Sequence, residues 1–332
     1  MNGLHELATR MVSPGRGILA ADESITTMST RLENVGVPAS ADTRRAYREL
    51  LLTTPDLATW VSGIILSDET FGQCLTDGRQ FPTAAVDLGI LTGIKVDTGA
   101  RPLALVPGGT VTEGLDGLRE RLAGYGRLGA AFAKWRGVLS VGGPGGSDAA
   151  VRANAHALAR YAALCQEADI VPIVEPEVLM TGDHGIEACA DQTTRTLTAV
   201  FDELVAAHVD LRGIVLKPNM VVPGTQCARR SSPEEVARAT LGVLDACVPP
   251  EVPGIAFLSG GQDNATATAS LSALNASGTR PWRLTFSFGR ALVNETLECW
   301  RGRAEHAGMA QLALRNSCRR AAEASGYATL PR

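Results

Sequence analysis

Only three of the 31 basic residues in this 332-residue chain are lysines, Lys95, Lys134 and Lys217; every other one is an arginine. All three lie in apolar, strand-like surroundings: TGIKVD, FAKWRGVL and GIVLKPNM. An amine can lose its proton and attack a carbonyl, whereas a guanidinium stays charged at any working pH. The plainer reading is three chance residues on strand ends. The preference of ordinary lysines for solvated faces weighs against it.

The other chemistry-bearing residues fall into two groups. Asp22 closes the run GILAAD, Arg136 follows Lys134 by two, and Glu175 and Glu177 stand in VPIVEPE. Strand side chains alternate with period two, so Lys134 and Arg136 share a face, as do Glu175 and Glu177. Near the C-terminus, FLSGG supplies Ser259, Gly260 and Gly261, and FSFGR supplies Ser287, Gly289 and Arg290. Close backbone N–H approach, hydroxyls and a guanidinium fork are what a phosphate monoester needs. Interlocking salt bridges would account for some of the charges, and tight turns for the glycines. Two such glycine-hydroxyl ends on adjacent strands favour a phosphate.

A phosphate holder beside a strand lysine, with a second lysine and carboxylates nearby, specifies a Schiff-base site for a phosphorylated ketone. Desolvation and a neighbouring cation favour the free amine, and Lys134 can be that cation for Lys217. The iminium then serves as an electron sink, so an adjacent carbon–carbon bond can break without an unstabilised carbanion.

These residues need a frame that brings distant segments to one face. Short β-branched runs punctuated by Gly, Asp or Ser predict eight strands, beginning near Gly17, Val61, Gly93, Phe132, Ile170, Gly213, Gly254 and Trp282. Helical periodicity covers Thr43 to Leu52, Asp148 to Glu167, Ala188 to His208 and Pro233 to Ala246. Ser232 before Pro233, Glu234 and Glu235 is a helix start. Eight βα alternations predict one closed (β/α)8 TIM barrel over 1–332, with additional helices and a short C-terminal tail over roughly 315–332. Its active site belongs at the C-terminal ends of the strands. The glycine-rich GGPGG at 142–146 lacks the Lys-Ser/Thr of a P-loop and reads as a turn before a helix.

Composition narrows the function further. Hydrophobic residues make up 45% and charged residues 20% of the chain, which argues against disorder. No apolar run reaches the roughly 18 residues of a membrane helix, and the start lacks a signal core, which predicts a cytoplasmic protein without a membrane partner. A net charge of −4, spread without long runs of one sign, points away from nucleic acid. Seven cysteines without a C-x-x-C suit free thiols, and the five histidines form no zinc-ligand pair. No metal and no cofactor is expected.

The chain resembles the class I fructose-bisphosphate aldolases of the vertebrate-like type along almost its whole length. The resemblance rests on GILAADES at Gly17, GIKVD at Gly93, FAKWR at Phe132, IVPIVEPE at Ile170, LKPNMVVPG at Leu216, FLSGGQ at Phe257 and LTFSFGRAL at Leu284. It implies reversible cleavage of fructose 1,6-bisphosphate to dihydroxyacetone phosphate and glyceraldehyde 3-phosphate. Lys217 would form the Schiff base, and Glu175 would shuttle protons during carbinolamine formation and dehydration. Lys134 would stabilise developing charge and keep Lys217 deprotonated. Asp22 would take the proton from the hydroxyl on the fourth carbon, and Glu177 would partner the lysines. Ser259, Gly260, Gly261, Gly289 and Arg290 would hold the phosphate next to the ketone; Ser24, Thr27, Arg31 and Lys95 would meet the distal one. The family is commonly tetrameric, so a homo-oligomer is expected.

Three departures from the family pattern stand out. Thr27 replaces a usual serine and Thr30 a frequent lysine, which bears on the distal phosphate. Phe288 replaces a usual tyrosine. The familiar animal enzymes end in a tyrosine that helps exchange the enamine proton, whereas this sequence stops at Arg332 after SGYATLPR, and Tyr327 matches only the upstream tail region. Fructose 1-phosphate or a seven-carbon bisphosphate remains an alternative substrate. A binding or scaffold protein is a third reading, opposed by the presence of Asp22, Lys134, Glu175 and Lys217 together.

Overall fold

The computed structural model describes residues 2–326, so Tyr327 lies outside the described residues. Ten strands are formed: β1 Gly17–Ala21, β2 Val61–Leu66, β3 Leu91–Lys95, β4 Gly99–Pro102, β5 Thr110–Glu113, β6 Phe132–Leu139, β7 Val171–Val178, β8 Val215–Leu216, β9 Gly254–Phe257 and β10 Arg283–Phe288. Eight of them close a barrel in the order β1-β10-β9-β8-β7-β6-β3-β2, with every pairing parallel. Each barrel strand starts within two residues of its expected position. The antiparallel β4–β5 hairpin in the loop after β3 was not anticipated; its strands, GARP and TVTE, are short and carry little alternation.

Parallel strands covered on both faces read as near-continuous apolar runs, and β2 and β7 are buried at every position. The barrel interior is filled by Ile18, Ala20, Ile65, Leu91, Phe132, Val171, Ile173, Val215 and Ala256. Leu4, Ala8 and Met11, on the first helix Asn2–Met11, join this cluster. They fill one end and leave the other, where the strands finish, for chemistry. Gly93 is required beside this filling, because a Cβ there would come within 2.0 Å of the Phe132 ring.

A second, larger cluster lies between the barrel wall and the helices. The four expected helices are found as Ala41–Leu52, Asp148–Glu167, Ile186–Ala206 and Pro233–Cys247. The last is fixed by a capping box: Glu235 N–H donates to Ser232 Oγ at 3.3 Å and Ser232 N–H to Glu235 Oε2 at 3.0 Å. GGPGG becomes a single 3-10 turn, Pro144–Gly146, leading into the helix at Asp148. The stretch from 315, read above as tail, is helical as far as Ala324 within Ala307–Ala324, with Cys318, Ala321 and Ala322 buried. Its apolar spacing makes it a packed element rather than a tail.

All seven cysteines are free thiols. No helix among the described residues is long and apolar enough to cross a membrane.

Candidate active site

The expected site residues converge where the barrel strands end. Asp22 follows β1, Lys95 ends β3, and Lys134 and Arg136 lie on β6. Glu175 and Glu177 lie on β7, Lys217 follows β8, Ser259 follows β9, and Ser287 and Gly289 close β10. Register fixes their neighbours, with Lys95 opposite Lys134, Arg136 opposite Glu175 and Val138 opposite Glu177. All of them line one cavity of about 740 Å³, together with Ser24, Thr27, Arg31, Gly260 and Arg290. Gly261 alone among the expected residues lies beside the lining. A Cβ built there would sit 3.9 Å from Arg290 Nη2.

At the cavity floor four charged groups are taken out of water, with Lys134 and Lys217 each 3% exposed, Glu175 4% and Asp22 9%. Lys134 Nζ pairs with Asp22 Oδ2 at 2.7 Å and with Glu175 Oε2 at 3.2 Å. Lys217 Nζ pairs with Glu175 Oε1 at 3.2 Å. Glu175 thus bridges the two amines. Burial alone would raise the Asp22 pKa, but Lys134 and then Lys217 outweigh it and hold the carboxyl down at about 2. Glu175 is likewise lowered against its burial by the same two lysines. Burial would lower Lys134, yet Asp22 and Glu175 raise it, so this amine stays charged. Lys217 has one carboxylate neighbour where Lys134 has two.

Glu177 forms its ion pair with Arg136, which stands opposite Glu175, so it meets the lysine cluster through that arginine and not by direct contact. The reason is register: Glu177 lies one pleat further along β7 than Glu175, level with the reach of the longer arginine.

The cations of the cavity differ in their partners. Arg290 begins the helix Arg290–Trp300 and has no carboxylate partner among the described residues. Ser287 Oγ, which lines the same cavity, is buried without a hydrogen-bond partner. Gly260 adopts φ +57, a left-handed conformation that glycine takes without steric cost. A free guanidinium, an unsatisfied hydroxyl and a helix N-terminus together suit a phosphate. The other cations of the cavity are already engaged, Arg31 with Glu23 and Lys95 with Asp97, the latter at 2.6 Å. Ser24 Oγ accepts from Thr27 N–H at 3.2 Å and caps the helix Ile25–Asn34. Phe288, in the place of the family's tyrosine, is fully buried against Phe286, with ring centroids 5.6 Å apart.

Sequence reasoning missed Asp97 and Glu23, which both line the cavity. Asp97 was within reach of the period-two rule, standing two residues after Lys95. Its carboxylate also accepts from Gly99 N–H at 3.2 Å and Arg136 N–H at 3.3 Å, so one side chain ties β3, its loop and β6 together.

The family model for Fructose-bisphosphate aldolase class-I matches residues 3–329. A probable fructose-bisphosphate aldolase class 1 of Xanthomonas campestris is 52% identical over 297 residues, covering 90% of this chain and 89% of that protein. Fructose-bisphosphate aldolase C of Mus musculus is 48% identical over 309 residues, covering 92% and 85%. A solved structure of fructose-bisphosphate aldolase from Plasmodium falciparum, in complex with TRAP and a small molecule inhibitor, superposes with a TM-score of 0.96 at 40% identity, covering 99% of this chain and 96% of that one. With fold and sequence agreeing over nearly its full length, the chain belongs to the class-I fructose-bisphosphate aldolase family and is a carbon–carbon lyase.

Proposed function

We propose that the chain cleaves fructose 1,6-bisphosphate reversibly to dihydroxyacetone phosphate and glyceraldehyde 3-phosphate through a Schiff base on Lys217, in glycolysis and gluconeogenesis. The observation that carries the reading is the buried Lys217 amine, 3.2 Å from Glu175 Oε1, in the cavity that also holds the unpaired Arg290. Lys217 Nζ attacks the ketone carbon to give a carbinolamine. Glu175 moves the protons: it passes one from the attacking nitrogen to the carbonyl oxygen, giving the carbinolamine hydroxyl, and then delivers a second, taken up from solvent, to that hydroxyl, which leaves as water. The protonated imine then draws the electron pair of the bond between the third and fourth carbons, Asp22 accepts the proton of the C4 hydroxyl, and the aldehyde departs. Lys134, held cationic between Asp22 and Glu175, stabilises the charge that develops on oxygen. Protonation of the enamine and hydrolysis of the imine release the ketone product and restore the amine. The phosphate beside the ketone goes to Ser259, Gly260, Gly261, Ser287, Gly289 and Arg290, and Arg136, tied to Glu177, borders the substrate. The distal phosphate goes to Ser24, Thr27, Arg31 and Lys95.

The pairing of both distal cations with carboxylates favours a second reading, in which fructose 1-phosphate competes well with the bisphosphate as substrate. We place the enzyme in the cytoplasm as a homo-oligomer, by its family a tetramer. Borohydride reduction in the presence of dihydroxyacetone phosphate, followed by peptide mapping, tests the chemistry. A substrate-dependent adduct on Lys217, absent from Lys217→Arg, is expected. A folded, ligand-binding protein that gives no adduct would refute the mechanism.

A further inference from the structure

Arg31, a proposed ligand of the distal phosphate, begins an Arg–Glu–Arg chain whose other two members, Glu23 and Arg48, have no part in the reaction scheme. Glu23, next to Asp22, pairs through Oε1 with Arg31 and through Oε2 with Arg48 Nη2 at 2.7 Å. Arg31 Nη2 also donates to Asn294 Oδ1 at 3.0 Å. Glu23 and Arg31 line the cavity, whereas Arg48 stands behind them on the helix Ala41–Leu52. The Arg48 side chain is 2% exposed, and Glu23 is its only carboxylate partner among the described residues. Its Nη1 is buried without a hydrogen bond, and its guanidinium carbon lies 5.8 Å from the centroid of the Tyr47 ring. A cation so far from water depends on its counter-ion to stay there.

Glu23 without Arg48 would oppose an anionic ligand twice, by repelling a phosphate and by holding the Arg31 guanidinium that the phosphate needs. With Arg48 behind it, the three groups sum to one positive charge. When a phosphate draws Arg31 away, Glu23 keeps a counter-ion, so no bare carboxylate is left at the wall. We propose that Arg48 is a positioning and specificity-determining residue for the distal phosphate, neutralising Glu23 from behind so that Arg31 can exchange its carboxylate for the substrate. This rests on the reading of Arg31 as a distal-phosphate ligand.

The test is steady-state kinetics of the full chain with fructose 1,6-bisphosphate and fructose 1-phosphate. Arg48→Met is expected to raise KM for the bisphosphate about tenfold, the order of one lost charge interaction, and to leave KM for fructose 1-phosphate unchanged. The double variant Glu23→Gln/Arg48→Met, which removes both charges, is expected to regain the bisphosphate KM, a rescue that a merely structural role for Arg48 would not give. An unchanged KM ratio in Arg48→Met, or a folded double variant that has lost its bisphosphate preference, overturns the proposal. If the single variant does not fold, the double decides alone. Arg31→Ala separates the two levels: a KM ratio it does not move defeats the distal reading itself. A ratio moved by Arg31→Ala but not by Arg48→Met defeats only the role of Arg48.

Discussion

Lys217 Nζ stands 3.2 Å from Glu175 Oε1, and the other oxygen of the same carboxylate stands 3.2 Å from Lys134 Nζ. One carboxylate thus contacts both buried amines at once. Both lysines lower its pKa, which holds Glu175 ionised and suits the base role proposed for it. Glu175→Gln keeps the shape and removes the proton carrier, so kcat should fall by roughly a factor of 100 to 10,000. The rate of borohydride-trappable adduct formation on Lys217 should fall with it. An unaffected trapping rate would assign the proton transfers elsewhere.

Lys134 carries a structural charge as well as a chemical one. Lys134→Met leaves Asp22 and Glu175 buried with Lys217 as the remaining lysine, which should cost about 3–5 kcal/mol of stability. Urea unfolding of the variant against the parent measures this. A loss below about 1 kcal/mol, the size of an exposed pair, would mean that water reaches the cluster freely.

Asp22 ties the cluster to pH. Its folded pKa of about 2 lies below the ordinary 3.8, so the stabilising contribution is complete above the ordinary value and disappears as pH falls through about 2. Between those limits the parent should lose about 2 kcal/mol that an Asp22→Asn variant does not lose. Chemical denaturation at pH 5, 4 and 3, all approximate settings, compares the two slopes. Equal slopes would show that Asp22 titrates alike in folded and unfolded chains.

The floor of the site was legible because strands obey a period of two. Lys134 with Arg136, and Glu175 with Glu177, could be placed on shared faces before any fold was known. The eight strand starts followed from apolar runs and their punctuation. Partner choice was not legible. Arg31 reaches Glu23 rather than solvent, and Glu177 reaches Arg136 rather than a lysine. Glu177 and Arg136 meet only because β6 and β7 pair, and Glu23 and Arg31, 8 residues apart, meet only because the loop after β1 turns into its helix. Arg48 shows the limit most clearly, since its position in ADTRRAYRELLL reads as one more polar place on a surface helix. Only the packing of that helix behind the first loop buries it.

The contrast between Arg290 and the carboxylate-paired Arg31 and Lys95 predicts a split in substrate dependence. Among the described residues Arg290 has no carboxylate partner and Ser287 Oγ, which lines the same cavity, has no hydrogen-bond partner, so a phosphate arriving at Arg290 breaks no ion pair there. Arg31 and Lys95 must give up Glu23 and Asp97 to take the other phosphate. Arg290→Ala should therefore raise KM for fructose 1,6-bisphosphate and fructose 1-phosphate alike, by about tenfold to a hundredfold for a lost charge-assisted contact. Lys95→Met should raise only the bisphosphate value, and by less, because the parent lysine already shares its charge with Asp97. Rising salt should weaken the bisphosphate more than the monophosphate in the parent, since screening acts on the more exposed, doubly anionic contact. An Arg290→Ala variant that discriminated between the two sugars would reverse the assignment of the two phosphates, placing the ketone-side phosphate against Arg31 and Lys95.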